Sequence, residues 1–549
     1  MYEPTLDRLL DEAAGRHTDH DALIYGESAY TYGQVAESVN RLAKALMRLG
    51  VKNGNKVGIW MPDNEAWICS YFAAAKIGAV IVPINARYRS HDVKYILRHG
   101  EISTLIVSDL APHIQDYVRM VYEALPTLGD QNKLCLSLED FPNLKNVISV
   151  GDREHEGFLR FNDVMNMDVE VADKDLRERQ SMNRRENLAT IQYTSGTTSF
   201  PKGCMLTHEI VVRNALYCAD RLEVREERDV FLDVMPPFHV VGICFGLLPS
   251  LAFGCCRIGV DHFNPLEALK WIEKKRCTVH SGMGMMIKAE LDHPEFKKHD
   301  VSSLRTGICA GPSSVFQQIK RLVPNWKPLN IYGLSEVGGN LTTTKRDDPP
   351  EVAWYTHGTP HDGLEVKIAD PDTGRTLNRG FMGEICARGW SIMKGYYRDP
   401  EASAKTVDRD GWLHTGDKGK IDNDGRLVYV GRIKDTIKVG GENVAPQEIE
   451  DFLMQHPKVQ CVQALGIEDL KLTEVVAVFV ELKPNEHCTE DELIRFCQGK
   501  IASFKMPRYI RFVKTWPLSA TKVQKFRLRE QLENELKVGA PPHLHVVQP

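Results

Sequence analysis

Between Gln34 and Pro83 the apolar pattern changes period repeatedly, and that alternation constrains the fold more than any other feature of the chain. Val35, Val39, Leu42, Leu46 and Leu49 recur at near-helical spacing over Gln34–Leu49. Lys56–Met61 reads as a short buried strand, Glu65–Ile77 as a helix and Ala79–Pro83 as a second strand. Such an alternation predicts a mainly parallel sheet covered by helices. A second alternating set spans Ala189–Tyr332, with strands expected over Val230–Met235 and Thr306–Ala310 and a helix over Leu266–Lys275. Polar, charge-rich Arg153–Glu186 reads as loop and connector. The apolar run Phe238–Phe253 is broken by His239, Pro249, Ser250 and glycines; it is too short to span a bilayer comfortably and reads as buried wall.

From Leu341 to Val430 the texture changes. Short β-rich runs, Gly363–Ile368 and Gly383–Ala387, are separated by turns at Asp370–Gly374 and Asn423–Gly425, which predicts a small β-barrel-like subdomain. After Gly431 the charge density rises and a compact α+β unit is expected. The predicted fold class is therefore α/β. A large N-terminal domain, residues 1–431, holds two doubly wound α/β subdomains and the β-barrel-like subdomain. A small mobile α+β domain, residues 432–549, follows a hinge near Arg432–Thr436.

A chain of 549 residues is too long for one compact core. Its net charge of −5 gives no electrostatic reason to expect nucleic acid as a partner. The 13 cysteines include no C-x-x-C pair, as expected of a reduced, cytoplasmic protein without a disulfide framework or zinc site. The acidic, amphipathic N-terminus has no basic region followed by an apolar core, so neither a signal peptide nor a transmembrane segment is expected. A homodimer is compatible with all of this.

Chemistry enters at Tyr193–Gly203, YTSGTTSFPKG, which follows the apolar-leaning Leu188–Ile191 and reads as the loop leaving a strand. Thr194, Ser195, Thr197 and Thr198 offer hydroxyl donors. Gly196 lets backbone N–H groups approach phosphate oxygens, and Lys202 adds a mobile positive charge. This is not a Walker A loop: Pro201 replaces its second glycine and Gly203 its hydroxyl residue.

The stretch resembles the phosphate-loop signature of the adenylate-forming (AMP-binding) superfamily, which includes acyl-CoA synthetases, luciferases and the adenylation domains of peptide synthetases. It departs from that signature at Ser199, where a glycine is usual. The resemblance extends over nearly the whole chain, with motifs in the family's order. Ala310-Gly311-Pro312 resembles the adenine-pocket turn, and Asn330-Ile331-Tyr332-Gly333-Leu334-Ser335-Glu336 the family's N-x-Y-G-x-T/S-E. The resemblance implies that Tyr332 stacks on adenine, that Asn330 and Gly333 belong to the same pocket, that Ser335 bonds the α-phosphate region and that Glu336 holds Mg²⁺. Trp412–Asp417 resembles the segment whose aspartate, here Asp417, accepts the ribose hydroxyls. Gly431–Asp435 resembles the interdomain segment, with Arg432 on ribose or phosphate and Lys434 at the hinge.

Pro517–Phe526 resembles the segment carrying the lysine that stabilises charge when carboxylate meets ATP, but lacks the glycine before it. Lys522 is the best match and Lys525 the competing one. Pro236–Gly242 resembles the segment lining the acyl site in acyl-CoA synthetases, which gives His239 a gating or lining role among the catalytic candidates. Phe238–Val241 contains no aspartate to hold a substrate ammonium, against amino acids as substrates. No tryptophan precedes Tyr332, and Val337-Gly338-Gly339 follow Glu336, so an acid larger than acetate is expected: medium-chain, alicyclic or aromatic. Val439–Pro446 resembles the loop that swings to the active site for thioesterification, with Gly440 and Gly441 leaving room for pantetheine. The implied activity is ATP-dependent ligation of a carboxylic acid to coenzyme A, with ATP, Mg²⁺ and CoA as cofactors. An adenylating enzyme that loads a carrier protein and a non-catalytic nucleotide-binding relative are the alternatives. The chain runs only roughly thirty residues past Lys522, too few for an appended carrier domain, which leaves free CoA as the expected acceptor.

Overall fold

A computed structural model describes residues 4–110, 115–194, 201–440, 442–469, 471–519 and 522–537. Two seven-stranded sheets form the large part of the molecule. In the first, Leu159–Arg160, Asn146–Val150, Ile102–Ser108, Lys56–Trp60, Val80–Pro83 and Leu188–Thr194 run parallel, and Lys202–Thr207 closes the edge antiparallel to Leu188–Thr194. In the second, Lys327–Leu329, Thr306–Ala310, Val279–Met283, Val230–Asp233, Cys256–Gly259 and Asp21–Tyr25 run parallel, and Ser28–Thr31 closes the edge antiparallel.

The helices follow from local signals. Tyr32–Arg48 starts at a capping box in which Thr31 and Gln34 bond each other's backbone N–H, and it buries Val35, Val39, Leu42 and Leu46. Glu65–Lys76 is capped by Asn64, whose side chain accepts from the Trp67 N–H; it is buried along most of its length because it lies within the core. The wall segment Phe238–Phe253 forms buried helical turns, Val240–Gly242, a π-helical Ile243–Leu247 and Leu248–Ala252.

One stretch differs from expectation. Arg153–Glu186 is not only connector: it contains the helices Phe161–Met165 and Asp173–Ser181 and a 3-10 turn, Asn166–Glu170. Asp173–Ser181 buries Leu176 alone, so it carries no apolar period to read. Polar contacts hold this region. Lys44 and Arg48 pair with Asp173 and Glu170, and the Gln180 side-chain amide donates to Asp7 at 2.9 Å and to Asp11 at 2.7 Å.

The β-rich stretch is a four-stranded antiparallel sheet, Leu364–Ala369, Gly383–Gly389, Leu413–Ile421 and Leu427–Arg432, beside a three-stranded one, Ile331–Tyr332, Thr342–Thr343 and Thr359–Pro360. After Arg432 comes a 3-10 turn, Ile433–Asp435. A separate sheet follows, built from Ile437–Val439, Glu442–Val444, Val459–Asp469, Thr473–Leu482 and Tyr509–Phe512. Among the described residues no helix is long and apolar enough to cross a membrane. All 13 cysteines are free thiols.

The two large sheets are joined by a buried ion cluster. Arg257, on Cys256–Gly259 of the second sheet, is fully buried. Its Nε donates to Asp233 Oδ2 at 2.8 Å, its Nη2 to Asp63 Oδ2 at 2.5 Å and its Nη1 to the Tyr25 hydroxyl at 2.8 Å. Asp63 follows Lys56–Trp60 of the first sheet, and Tyr25 donates to its other oxygen at 2.6 Å. Burial pushes the Asp233 carboxyl up to about 6. Removing the guanidinium leaves two carboxylates out of water. Arg257→Met should therefore cost about 3–5 kcal/mol of stability, read as a lowered midpoint in thermal or urea unfolding.

Candidate active site

The carboxyl ends of Val80–Pro83, Leu188–Thr194, Val279–Met283 and Thr306–Ala310 open onto one cleft of 1210 Å³, whose far wall comes from the β-rich unit and the C-terminal sheet. This is where open α/β sheets bind ligands, since crossovers leave a crevice there.

Three groups of side chains converge on it. Tyr332 is almost fully buried; its ring stacks on Tyr429 at 5.4 Å and its hydroxyl donates to Asp417 Oδ2 at 2.7 Å. Asp417 and Arg432 are cross-strand partners, with Arg432 Nε 3.9 Å from Asp417 Oδ1. Asp417 reaches the cleft because its strand bulges. Glu384 lies opposite Lys418 and Cys386 opposite His414, so Ile385 alone faces Thr415, Gly416 and Asp417. The bulge is held by Thr415 Oγ1 donating to the Ile385 carbonyl at 2.7 Å and by the Gly416 N–H donating to Glu384 at 3.0 Å; Gly416 has φ of +69°.

A second group surrounds Glu336, which lies on the 3-10 turn Ser335–Val337. The Tyr396 hydroxyl donates to Glu336 Oε1 at 2.8 Å, and the Lys202 ammonium sits 5.0 Å from the centre of the Tyr396 ring. Burial, then the Glu336 carboxylate, pushes the Tyr396 phenol up, so it stays a donor. Thr194 and Lys202 pair directly across the last two strands of the first sheet, and Thr194 Oγ1 donates to the Lys202 carbonyl at 3.3 Å. The phosphate loop therefore bridges two antiparallel strands rather than leading into a helix. Its tip residues Ser195, Gly196, Thr197 and Thr198, with Ser199, lie outside the described residues.

The third group is a cradle of backbone. Ala310, Gly311 and Pro312 line the cleft, and a Cβ on Gly311 would lie 2.6 Å from the Cα of Gly284. A Cβ on Gly333 would lie 2.2 Å from the Gly339 carbonyl oxygen. Side chains at these positions would displace the backbone that forms the wall. A flat slot of backbone beside Tyr332 and a carboxylate beyond it suit a purine nucleoside, and a lysine and a carboxylate farther along suit its phosphates with a hard divalent cation.

A family model described as AMP-binding enzyme matches residues 10–397, and one described as AMP-binding enzyme C-terminal domain matches residues 448–523. The chain belongs to the AMP-binding, adenylate-forming enzymes. It is 38% identical over 537 residues to YngI of Bacillus subtilis (strain 168), whose name assigns it provisionally to the acyl-CoA synthetases; 97% of each chain is covered. It is 32% identical over 558 residues to the mitochondrial medium-chain acyl-CoA ligase ACSF2 of Mus musculus, covering 98% of this chain and 89% of the relative. Its fold superposes on the anthranilate CoA ligase AuaEII, in complex with anthranoyl-AMP, with a TM-score of 0.85 at 27% identity, covering 97% and 98% of the two chains.

The remaining candidate residues of this AMP-binding enzyme fall in different places. Ser335 lines the cleft. Asn330 does too, but its side-chain NH₂ donates to the Ala353 and Thr356 carbonyls at 3.0 Å each and its Oδ1 accepts from the Ile331 N–H, so it braces the turn before Tyr332. His239 lines the cleft at the start of Val240–Gly242, beside an apolar wall of Met235, Phe238, Val240, Val241 and Phe245. Of Val337, Gly338 and Gly339, Gly339 alone lines it, against Val240. Lys434 lines it, and burial followed by the Arg432 charge lowers its pKa. Gly440, with φ of +58°, turns the hairpin between Ile437–Val439 and Glu442–Val444 and does not line the cleft; Gly441 is outside the described residues. Lys522 begins the strand Lys522–Val523, paired with Leu518–Ser519; Val523 lines the cleft, and the Lys522 side chain is outside the description. Lys525 donates to Glu450 at 2.6 Å and to the Ala464 carbonyl at 2.9 Å, which ties it to its own domain.

Reading the sequence missed Tyr396, Tyr429, Gly284, Glu384 and Gln192. Gln192 donates to the Phe238 carbonyl at 2.8 Å and so fixes the acyl wall to the phosphate-loop strand. Alternation along Leu427–Arg432 was the available signal for Tyr429; the others carry none over short range.

Asp417→Asn should weaken binding of a non-hydrolysable ATP analogue by roughly 1.5–3 kcal/mol, the worth of a hydrogen bond to a charged group. Tyr332→Phe, which removes a single hydroxyl, should cost about 0.5–1.5 kcal/mol. Isothermal calorimetry measures both.

Proposed function

We propose that this AMP-binding enzyme is an acyl-CoA synthetase for medium-chain, alicyclic or aromatic carboxylic acids. The observation that carries the reading is the continuity of one cleft. It runs from Asp417 and Tyr332, through Glu336 and Lys202, to the wall of Met235, Phe238, Val241 and Phe245. A nucleotide and an apolar acid can lie in it end to end.

The chemistry follows from that order. A carboxylate oxygen attacks the α-phosphorus of ATP, the bond to the β-phosphate bridging oxygen breaks and pyrophosphate leaves. The thiol sulfur of CoA then attacks the acyl carbonyl, the thiol proton is lost, and the carbon–oxygen bond to AMP breaks. In the first step two anions meet. Lys202 and Lys522 supply positive charge, and Mg²⁺ at Glu336, when bound, neutralises phosphate charge. Asp417, aligned by Tyr332 and Arg432, holds the ribose. We place the hinge at Ile433–Asp435, so that the domain carrying Lys522 can reorient between the two steps. Free thiols throughout the chain suit a cytoplasmic enzyme.

The acid class rests on the apolar wall, the absence of a side chain at Gly339 and the relatives' names, one a medium-chain and one an anthranilate ligase. CoA-dependent AMP release across a panel of acids tests it. Octanoate or benzoate-type acids should exceed acetate, and acetate as the best substrate, or AMP release indifferent to CoA, overturns the reading.

The two candidate lysines separate by variant. Lys522→Ala should lower acid-dependent pyrophosphate exchange by about 10²–10³-fold, the scale of one preorganised electrostatic contact, and leave CoA attack on supplied acyl-adenylate nearly unchanged. Lys525→Ala should lower the unfolding midpoint more than it lowers exchange, because it strands the buried carboxylate of Glu450. Exchange lost in Lys525→Ala and kept in Lys522→Ala reverses the two roles.

A further inference from the structure

Beneath the Asp417 bulge a thiol and an imidazole meet the carboxylate that holds the bulge. Cys386 and His414 are direct cross-strand neighbours, so their side chains share a face of the sheet. Cys386 Sγ is 3.6 Å from His414 Nδ1, and Glu384 Oε2 is 2.8 Å from the same nitrogen; one ligand atom from each residue lies within 4.8 Å of the others. Tetrahedral zinc, with Zn–S near 2.3 Å and Zn–N near 2.05 Å, places sulfur and nitrogen about 3.6 Å apart. The carboxylate needs to withdraw by about half an ångström to reach the equivalent nitrogen–oxygen separation of about 3.3 Å.

The surroundings favour a cation over a simple hydrogen bond. The other ring nitrogen of His414 faces Asp408 Oδ2 at 3.4 Å, the outer carboxylate that metal-ligating histidines commonly carry. Asp408 is itself aimed: its Oδ1 accepts the N–H groups of Asp410 and Trp412 at 2.9 and 2.8 Å. Glu384 keeps its second oxygen on the Gly416 N–H. Lys367, cross-strand to Cys386, lies 4.2 Å from the centre of the Trp412 ring, and Arg388 stacks on that ring at 4.5 Å while bonding Glu365. Cys386 is buried, and a thiolate among the ligands selects a thiophilic metal. His414 and Glu384 are partly exposed and leave a path in.

We propose that Cys386, His414 and Glu384 bind a thiophilic divalent cation, Zn²⁺ by its ligand chemistry, which clamps the bulge carrying Asp417. The thiol proton is released to solvent as the metal–sulfur bond forms, and the fourth position is left to water. Among the described residues, the other thiol-containing cluster, His456, Cys488 and Glu492, already holds the Lys458 ammonium 2.9 Å from Glu492.

Co²⁺ is the probe, because it takes the same ligands and reports on them by colour. Titrated into the full-length reduced protein, one equivalent should give a thiolate-to-cobalt charge-transfer band that Zn²⁺ bleaches. Cys386→Ser should remove the band, and Cys488→Ser should leave it. Asp408→Asn keeps all three ligands and should weaken Co²⁺ binding by about 10–100-fold. No band at one equivalent, a band that survives Cys386→Ser, or an affinity unmoved by Asp408→Asn overturns the proposal.

Discussion

A guanidinium with no access to water, that of Arg257, is held between two carboxylates from different sheets. A buried charge without a partner costs several kcal/mol, so Asp63, Asp233 and Arg257 must meet for any of them to be tolerated. Meeting fixes how the first sheet lies against the second. The surrounding packing accommodates the cluster through two glycines. A Cβ on Gly246 would fall 2.1 Å from Asp233 Oδ2, and one on Gly259 would fall 2.4 Å from the Tyr25 ring. The site inherits this arrangement directly. Asp233 accepts the Met235 N–H at 3.2 Å, and from Met235 the chain runs on through Phe238 to form the apolar wall.

The cleft is then completed by pairs drawn from far apart in the chain. Tyr332, on the strand Ile331–Tyr332, meets Asp417, and Tyr396 meets Glu336 on the 3-10 turn Ser335–Val337. Both are neutral donors on carboxylates, and burial keeps both phenols protonated. Each carboxylate is thereby oriented by a neutral hydroxyl donor. The same logic governs the 415–417 bulge, where Glu384 and Ile385 hold the backbone so that Asp417 projects into the cleft.

Much of this was legible in the chain because it is local. The capping box at Thr31 and Gln34, the apolar stripe Val35–Leu46 and the strands through Lys56 and Val80 are set by neighbours within a few residues. Asp173–Ser181 escaped because its one buried apolar residue, Leu176, makes no stripe, and its anchors, Lys44 and the acids on the first helix, lie far away in sequence. Asn330 fell within a readable motif, but its hydrogen bonds to Ala353 and Thr356 depend on a loop that no motif describes.

The sequence by itself determined the class of fold, the family and the order of the motifs, since each rests on residue types at short spacing. Only the tertiary structure decided which side chains share a volume. It drew Tyr396 to Glu336, stacked Tyr429 on Tyr332 and set Cys386 opposite His414. It also paired Lys525, which lines the cleft, with Glu450. The physical reason is that sheet order, register and the pairing of buried charge bring these groups together across tens to hundreds of residues, a distance over which helical and strand periodicities carry no information.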